Sequence, residues 1–243
     1  MPRDTVVILT RESADNAALR GLLTGAGVNV VEYACIRTVP IPMERWKPTG
    51  EHPMEHCRVL AFTSRHGVQG FAPAWERLDR AARYLAAVGS GTAREMELRL
   101  GRRPDMVACP PTAEGLATQL AEFLDPAHPV LWIRGNRSTG DFRDRMTSQG
   151  FKVTELVVYE TCPVRLQPLS VQPPAVLVFA SPSAVENFFR SNRPEWKNSP
   201  CIAIGPTTAR SLTRLGCIRV EQPQEPVPRA LADRIALLLQ EVK

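Results

Sequence analysis

The chain repeats part of its own sequence, and this duplication limits its possible folds more than any other feature. Residues 8–38 match residues 131–161 when the 243-residue sequence is shifted by 123 positions. Further matches join 59–71 to 176–188, 87–94 to 203–210 and, more weakly, 111–117 to 226–232. Because repeated segments mark recurring structural units, we predict two copies of one fold unit.

Each copy alternates short apolar runs with helical patterns. The runs Val6–Leu9, Val59–Phe62 and Leu85–Val88 are followed by helical spacing of apolar residues, which predicts helices at 13–26, 67–78 and 93–100. The alternation returns at 176–179 and 201–204. Strands that alternate with helices form parallel sheets with right-handed crossovers. At roughly 150 residues per domain, the chain is long enough for two modest domains. The predicted fold is α/β, with two similar domains whose parallel sheets are flanked by helices.

Two proline-containing segments occupy equivalent places in the two copies. Proline favours extended backbone in itself and in its predecessor, so residues 38–40 and 161–163 are predicted to be linker strands. Two crossings imply an interleaved chain, and domains joined by two strands are expected to rotate relative to one another. The predicted domains are residues 1–37 with 164–243, and residues 41–160.

The charge balance points to an anionic ligand rather than to nucleic acid. The net charge is +5, and 26 of the 30 basic residues are Arg, whose guanidinium suits carboxylates and phosphates. Genome composition could equally explain the Arg content. Basic arms, zinc-finger spacing and aromatic RNA-binding motifs are absent, so no nucleic-acid partner is expected. Without a long apolar run or a signal-peptide core, we expect a cytoplasmic protein with no membrane contact.

The cysteines and histidines do not predict a metal site. The six cysteines are widely spaced without a C-x-x-C pattern, so they are expected to be reduced core thiols. His52, His56 and Cys57 form a local cluster, but a fourth ligand is missing and the Pro-rich surroundings predict a surface loop. The sequence also has neither a G-x-G-x-x-G motif after the first strand nor a Walker A motif, which disfavours dinucleotides and nucleoside triphosphates.

Small polar residues follow the predicted strands. Ligands of parallel α/β sheets bind beyond the carboxyl ends of the strands, where helices present free N–H groups. Ser, Thr, Gly and Pro are also typical helix-capping residues, so both interpretations stay open for any single position. Together the turns predict a cleft that binds several carboxylates through main-chain N–H groups. Loss of one hydroxyl, as in Ser64→Ala or Thr208→Ala, is therefore expected to reduce function only mildly, about a few-fold, because the main-chain donors remain.

A set of motifs, in this order and spacing, carries a family resemblance. The motifs are Ile8-Leu9-Thr10-Arg11, Phe62-Thr63-Ser64, 88–93, Arg134-Gly135-Asn136, Val158-Tyr159-Glu160-Thr161, 179–185 and 203–209. Over essentially the whole chain they resemble the uroporphyrinogen-III synthase family. The resemblance implies closure of hydroxymethylbilane, a linear tetrapyrrole with eight carboxylates, into uroporphyrinogen III with inversion of ring D. It further implies a cyclising lyase of tetrapyrrole biosynthesis that uses no cofactor, is monomeric and receives its substrate from hydroxymethylbilane synthase.

The resemblance also assigns the site. The family tyrosine that acts as the acid near the departing hydroxyl corresponds to Tyr159, which Ile36 replaces in the other copy. A structural role, in which Tyr159 only caps a strand end, stays open. The sequence departs from the family at Arg65-His66, and the added positive charge is expected to contact either a substrate carboxylate or only solvent. The expected substrate-binding residues are Arg11, Ser64, Ser90, Thr92, Thr112, Arg134, Gly135, Asn136, Ser181, Ser183, Thr207 and Thr208.

A second function class remains open from the sequence. Two facing α/β lobes also describe proteins that bind a ligand without changing it. The alternative is therefore a non-catalytic two-lobed binding or sensor domain for a small polycarboxylate. Tyr159 and the family resemblance favour the enzyme.

Overall fold

The computed structural model describes residues 6–81, 83–172 and 175–241. Its strands are β1 (Val6–Leu9), β2 (Asn29–Glu32), β3 (Ile36–Pro40), β4 (Val59–Phe62), β5 (Tyr84–Ala87), β6 (Met106–Val107), β7 (Val130–Gly135), β8 (Val153–Pro163), β9 (Ala175–Phe179), β10 (Cys201–Ala203) and β11 (Val220–Glu221). Its helices are α1 (Ser13–Gly25), α2 (Arg65–Trp75), α3 (Ser90–Leu100), α4 (Ala113–Phe123), α5 (Asp141–Ser148), α6 (Pro182–Ser191), α7 (Pro206–Arg214) and α8 (Pro228–Glu241). None of the described helices is both long and apolar enough to span a membrane.

The chain divides into two compact units. Unit 1 contains Met1–Arg37 and Cys162–Lys243, and unit 2 contains Thr38–Thr161. The two boundaries fall within β3 and β8. The chain therefore passes from one unit to the other twice, each time inside a strand.

Unit 1 is built on a five-stranded sheet in the order β11-β10-β9-β1-β2, with all neighbours parallel. The four residues of β1 are buried. Val7 and Leu9 pack with α1 and α8, whereas Ile8 packs with α6 and α7 on the opposite face. Because helices cover both faces of the sheet, its strands are continuous apolar runs rather than alternating ones.

Unit 2 is built on a six-stranded sheet in the order β3-β8-β7-β4-β5-β6, and its ladders from β8 to β6 are parallel. Phe62 of β4 packs with α2 and α3, and Ala61 packs with α4 and α5. Without β3, the order β6-β5-β4-β7-β8 matches β11-β10-β9-β1-β2 strand for strand. The repeated segments of the sequence relate the same strands, so the duplication is one of structure as well.

Glycine ends helices at equivalent places in the two units. Gly27 and Gly150 follow α1 and α5, and Gly101 and Gly216 follow α3 and α7, all with φ between 64° and 86°. This left-handed conformation strains any residue with a Cβ atom. The backbone conformation thus explains why the glycine at positions 27 and 150 is identical in both copies.

The prediction of an α/β fold with parallel sheets flanked by helices is confirmed. Two predicted helices begin earlier than their apolar spacing indicated. The helix predicted at 67–78 begins at Arg65 and ends at Trp75, and the helix predicted at 93–100 begins at Ser90. The first turn of each follows a capping residue, Ser64 or Gly89, and carries no apolar pattern of its own.

Candidate active site

Tyr159 reaches the carboxyl end of its sheet through an irregularity in the ladder between β7 and β8. Arg134 pairs with Val157, but the next residue, Gly135, pairs with Tyr159, so β8 carries one extra residue there. Such a bulge changes the direction of the side chains that follow it. Here it lays the phenol ring against the backbone of Gly135.

Gly135 leaves the space that the Tyr159 ring occupies. A Cβ atom built on Gly135 would lie 2.8 Å from Tyr159 Oη and closer still to the ring carbons Cε2 and Cζ. Real Cβ atoms do not approach other atoms so closely. Gly135 was predicted as a substrate-binding residue. In the structure, its lack of a side chain leaves room for the Tyr159 ring.

Two residues at the start of α2 contact Tyr159. Ser64 Oγ donates to Tyr159 Oη at 2.9 Å and accepts the N–H of Gly67 at 3.0 Å, so Ser64 is also the N-cap of α2. The His66 ring packs edge-on to the Tyr159 ring, with centroids 5.7 Å apart. The strand order β8-β7-β4 brings these groups together although Ser64 and Tyr159 are 95 positions apart in sequence.

The surroundings keep the phenol protonated. Burial raises the pKa of Tyr159 above its ordinary value of 10.0, outweighing the hydrogen bond from Ser64 and the charge of Arg134, which both lower it. Burial disfavours the charged phenolate, because the interior solvates a charge less well than water does. At neutral pH Tyr159 is thus a proton donor placed at a strand end.

The side chains of Arg134 and Asn136 make contacts with other residues of unit 2. The Arg134 guanidinium pairs with Glu155, donates to the Ser138 carbonyl at 2.8 Å and lies 4.7 Å from the centre of the Trp132 ring. Asn136 Oδ1 accepts the N–H of Thr161 at 2.9 Å. Both side chains fix the end of the sheet next to Tyr159, a placement that favours a supporting role over direct substrate contact.

The other predicted residues of unit 2 lie at helix starts. Thr112 is the N-cap of α4 and accepts the N–H of Gly115 at 2.9 Å. Ser90 and Thr92 lie in the first turn of α3, where Ser90 is exposed and Thr92 is buried. These positions follow the carboxyl ends of strands of the unit 2 sheet, as the sequence predicted. Ser90 and Thr92 belong to the first turn of α3, where main-chain N–H groups have no partner within the helix.

The predicted residues of unit 1 occupy the equivalent turns of its own sheet. Arg11 follows β1 and pairs with Asp15 at 3.0 Å. Ser181 is the N-cap of α6, and its Oγ lies 3.1 Å from Ser183 Oγ. In the first turn of α7, Thr207 is exposed and Thr208 is buried.

Sequence reasoning missed Glu155 as a residue of the site. Its carboxylate pairs with Arg134 and with Arg143, the latter at 2.8 Å. The signal was present, because Glu155 and Arg143 match Glu32 and Arg20 in the repeat, and those two residues also form an ion pair, at 2.7 Å. Identities retained in both copies mark a shared ion pair between helix and strand.

The cluster of His52, His56 and Cys57 lies apart from these strand ends. In the described part of the chain, no group of three or more His, Cys, Asp or Glu side chains is placed to hold a metal ion. His52 lines a cavity of about 510 Å³ together with Met43 and Trp46. Cys57 is buried, and burial raises the pKa of its thiol.

The sequence profile of the family described as uroporphyrinogen-III synthase HemD matches residues 17–233 of this chain. The chain belongs to the uroporphyrinogen-III synthase family. The resemblance seen in the motifs is thereby confirmed. A curated relative, the porphyrin biosynthesis protein HemD of Ruminiclostridium josui, is 28% identical over 222 residues, which cover 85% of this chain. This chain spans only 43% of that relative's length.

Two solved structures share the fold of this uroporphyrinogen-III synthase family member. A mutant uroporphyrinogen III synthase from Thermus thermophilus is 16% identical, with a TM-score of 0.60. The uroporphyrinogen-III synthetase from Helicobacter pylori is 17% identical, also with a TM-score of 0.60. Each alignment covers 97% of this chain and 99% of the other.

Proposed function

We propose that the protein is a uroporphyrinogen-III synthase, a lyase that cyclises hydroxymethylbilane to uroporphyrinogen III with inversion of ring D. Membership of the family over residues 17–233 supports the activity. The observation that carries the mechanism is the protonated Tyr159 phenol at the carboxyl end of the unit 2 sheet. A binding or sensor domain would not need a proton donor at this place.

Tyr159 is the proposed general acid. It gives its proton to the terminal hydroxyl of hydroxymethylbilane, the C–O bond breaks and water leaves, while the pyrrole nitrogen lone pair forms an azafulvene. The substituted carbon of ring D attacks this centre to give a spiro intermediate, which fragments and closes again with the ring inverted. The proton released when the last pyrrole regains aromaticity balances the one that Tyr159 donates.

The remaining predicted residues are proposed to position the substrate. Main-chain N–H groups at the starts of α2, α3, α4, α6 and α7 support binding of carboxylates in each unit, because helix N-termini favour anions. Ser90, Thr92, Thr207 and Thr208 belong to these turns. Arg134 and Asn136 are proposed to hold the end of the sheet next to Tyr159 in place through their contacts within the protein.

We further propose that units 1 and 2 are the two domains of the enzyme, with junctions in β3 and β8. The enzyme is proposed to act as a cytoplasmic monomer that takes hydroxymethylbilane directly from the synthase that makes it. The chemistry supports a short transfer, since free hydroxymethylbilane closes spontaneously to the type I isomer.

The activity is tested with freshly prepared hydroxymethylbilane. The products are oxidised, and the type I and type III isomers are separated by chromatography. We expect type III product with the protein and type I alone without it or after heat denaturation. Type I product alone, together with saturable binding of the substrate, would identify a binding domain instead.

A further inference from the structure

The hydrogen bond between Ser64 and Tyr159 has a defined direction. Ser64 Oγ accepts the N–H of Gly67 at 3.0 Å, which occupies one of its lone pairs. Its single proton is directed to Tyr159 Oη, 2.9 Å away. Because Ser64 is the donor of this bond, Tyr159 Oη is its acceptor and keeps its own proton for another partner.

The ring of Tyr159 is held in place on other sides as well. The backbone of Gly135 lies directly against its edge, and the His66 ring packs edge-on at a centroid distance of 5.7 Å. These ring contacts fix the plane of the phenol, but they do not set the direction of its O–H bond. The Ser64 hydroxyl acts on the phenol oxygen itself, because it donates to Tyr159 Oη.

The same bond stabilises the phenolate that forms when the proton leaves. The Ser64 hydroxyl lowers the pKa of Tyr159, and so does the charge of Arg134. Ser64 is the N-cap of α2, so its bond holds Tyr159 Oη near the N-terminus of this helix, where the helix dipole favours negative charge. Burial therefore keeps Tyr159 protonated before the reaction, and the Ser64 hydrogen bond lowers the free energy of the phenolate that proton transfer produces.

We infer that Ser64 is a positioning residue that turns the Tyr159 proton towards the departing hydroxyl of the substrate and stabilises the phenolate left behind. This inference rests on the proposed function, because it presumes that Tyr159 is the acid. It departs from the sequence-based expectation that Ser64 binds a substrate carboxylate. The two roles differ in which kinetic constant they affect.

The variants separate proton donation from helix capping. Ser64→Gly removes the hydroxyl but leaves a residue that is accepted as an N-cap, and the extended backbone at position 64, with φ of −161°, suits any residue. Ser64→Thr keeps a hydroxyl that can both cap and donate. Ser181→Gly removes the equivalent N-cap of α6 and serves as the control for folding stability, measured by urea unfolding.

The first readout is the titration of Tyr159 itself. The chain has three tyrosines, so ¹³Cζ-labelled tyrosine gives three NMR signals, assigned with single Tyr→Phe variants. We expect Ser64→Gly to move the pKa of Tyr159 upwards and Ser64→Thr to leave it in place, with Tyr33 and Tyr84 unaffected. An unchanged pKa of Tyr159 in Ser64→Gly would overturn the inference.

The second readout is the kinetics of type III formation. Ser64→Gly is expected to lower kcat about three- to tenfold at unchanged KM, Ser64→Thr to restore it, and Ser64→Gly to cost nothing more in a Tyr159→Phe background. A raised KM at unchanged kcat, or equal effects in both backgrounds, would overturn the positioning role. Failure of the proposed function shows separately, as type I product alone from the unaltered protein.

Discussion

Tyr159, inside β8, corresponds in the sequence repeat to Ile36, the first residue of β3. Ile36 packs against the apolar core of unit 1, where an aliphatic side chain needs no polar partner. Tyr159 presents a hydroxyl at the carboxyl end of the unit 2 sheet, where it accepts a hydrogen bond from Ser64. The proposed proton donor is therefore present in one copy of the repeat, and an aliphatic residue stands at the matching position of the other copy.

Removal of this hydroxyl tests its role directly. Tyr159→Phe is expected to slow type III formation about ten- to a hundredfold, or about 1.4–2.7 kcal/mol, because the substrate also loses hydroxide without help. The remaining product should still be type III, since ring inversion depends on how the substrate is folded. Full activity would refute the acid role, and mainly type I product would assign Tyr159 to shaping the site.

The close approach of Gly135 to Tyr159 can be tested with a methyl group. Gly135→Ala is expected to displace the phenol ring and lower kcat by a factor similar to that of Tyr159→Phe, because its Cβ would overlap the ring. The control is Gly21→Ala in α1, where a Cβ meets no atom within 4 Å and should raise stability by about 0.5–1 kcal/mol. Wild-type activity in Gly135→Ala would show that the strand can shift to accept the methyl group.

At the scale of elements, the same ion pair joins helix to strand in both units but in different surroundings. Glu32 of β2 binds Arg20 and is 26% exposed. Glu155 of β8 binds Arg143 and Arg134 and is 11% exposed. Glu155 therefore has a second arginine partner that Glu32 lacks among the described residues, and this partner, Arg134, lies next to the residue that pairs with Tyr159.

This difference predicts unequal stabilities for matched variants. Glu155→Ala is expected to lower the free energy of unfolding by about 2–3 kcal/mol, since it leaves the largely buried Arg134 without its carboxylate. Glu32→Ala should cost under about 1 kcal/mol, as exposed pairs do. Urea unfolding of both variants measures the difference, and equal losses would contradict this assignment.

At the scale of the whole molecule, a buried thiol and two partly buried phenols lower stability in alkali. Burial raises the pKa of the Cys35 thiol from 9.0 to about 12, and burial raises the pKa of Tyr33 and Tyr84 as well. The unfolded chain releases these protons first, so stability is level below about pH 9 and falls above it. Each group contributes a slope of up to ~1.4 kcal/mol per pH unit between its unfolded and folded pKa.

Urea unfolding between pH 7 and pH 11 tests this dependence. Cys35→Ala should flatten the fall above pH 9, because the buried thiol no longer has to stay protonated. Cys162→Ala, at a partly exposed cysteine, is the control and should leave the slope unchanged. Identical slopes in both variants would show that Cys35 does not contribute.

The proposed domains predict that unit 2 folds alone. Thr38–Thr161 is continuous in sequence and has apolar clusters on both faces of its sheet. A fragment of these residues should give dispersed NMR signals and cooperative unfolding. An unfolded fragment would show that unit 2 depends on the rest of the chain, and that the proposed domain is not independent.

The sequence by itself determined the strands of the core and their duplication. Val6–Leu9 and Val59–Phe62 were predicted with the bounds that the structure has, because strands covered by helices on both sides must be apolar throughout. The short edge strands β6 and β11 were not predicted, since two residues carry no periodic pattern. The mismatch between Ile36 and Tyr159 also singled out the proposed acid.

Only the tertiary structure decided what surrounds that acid. Ser64, Gly135 and His66 contact Tyr159 because the order β8-β7-β4 places three strand ends side by side and because a bulge turns the ring. Nothing local in the sequence encodes the direction of the Ser64 hydrogen bond or the partners of Arg134. These depend on contacts between residues far apart in the chain, which local propensities and apolar periodicity do not contain.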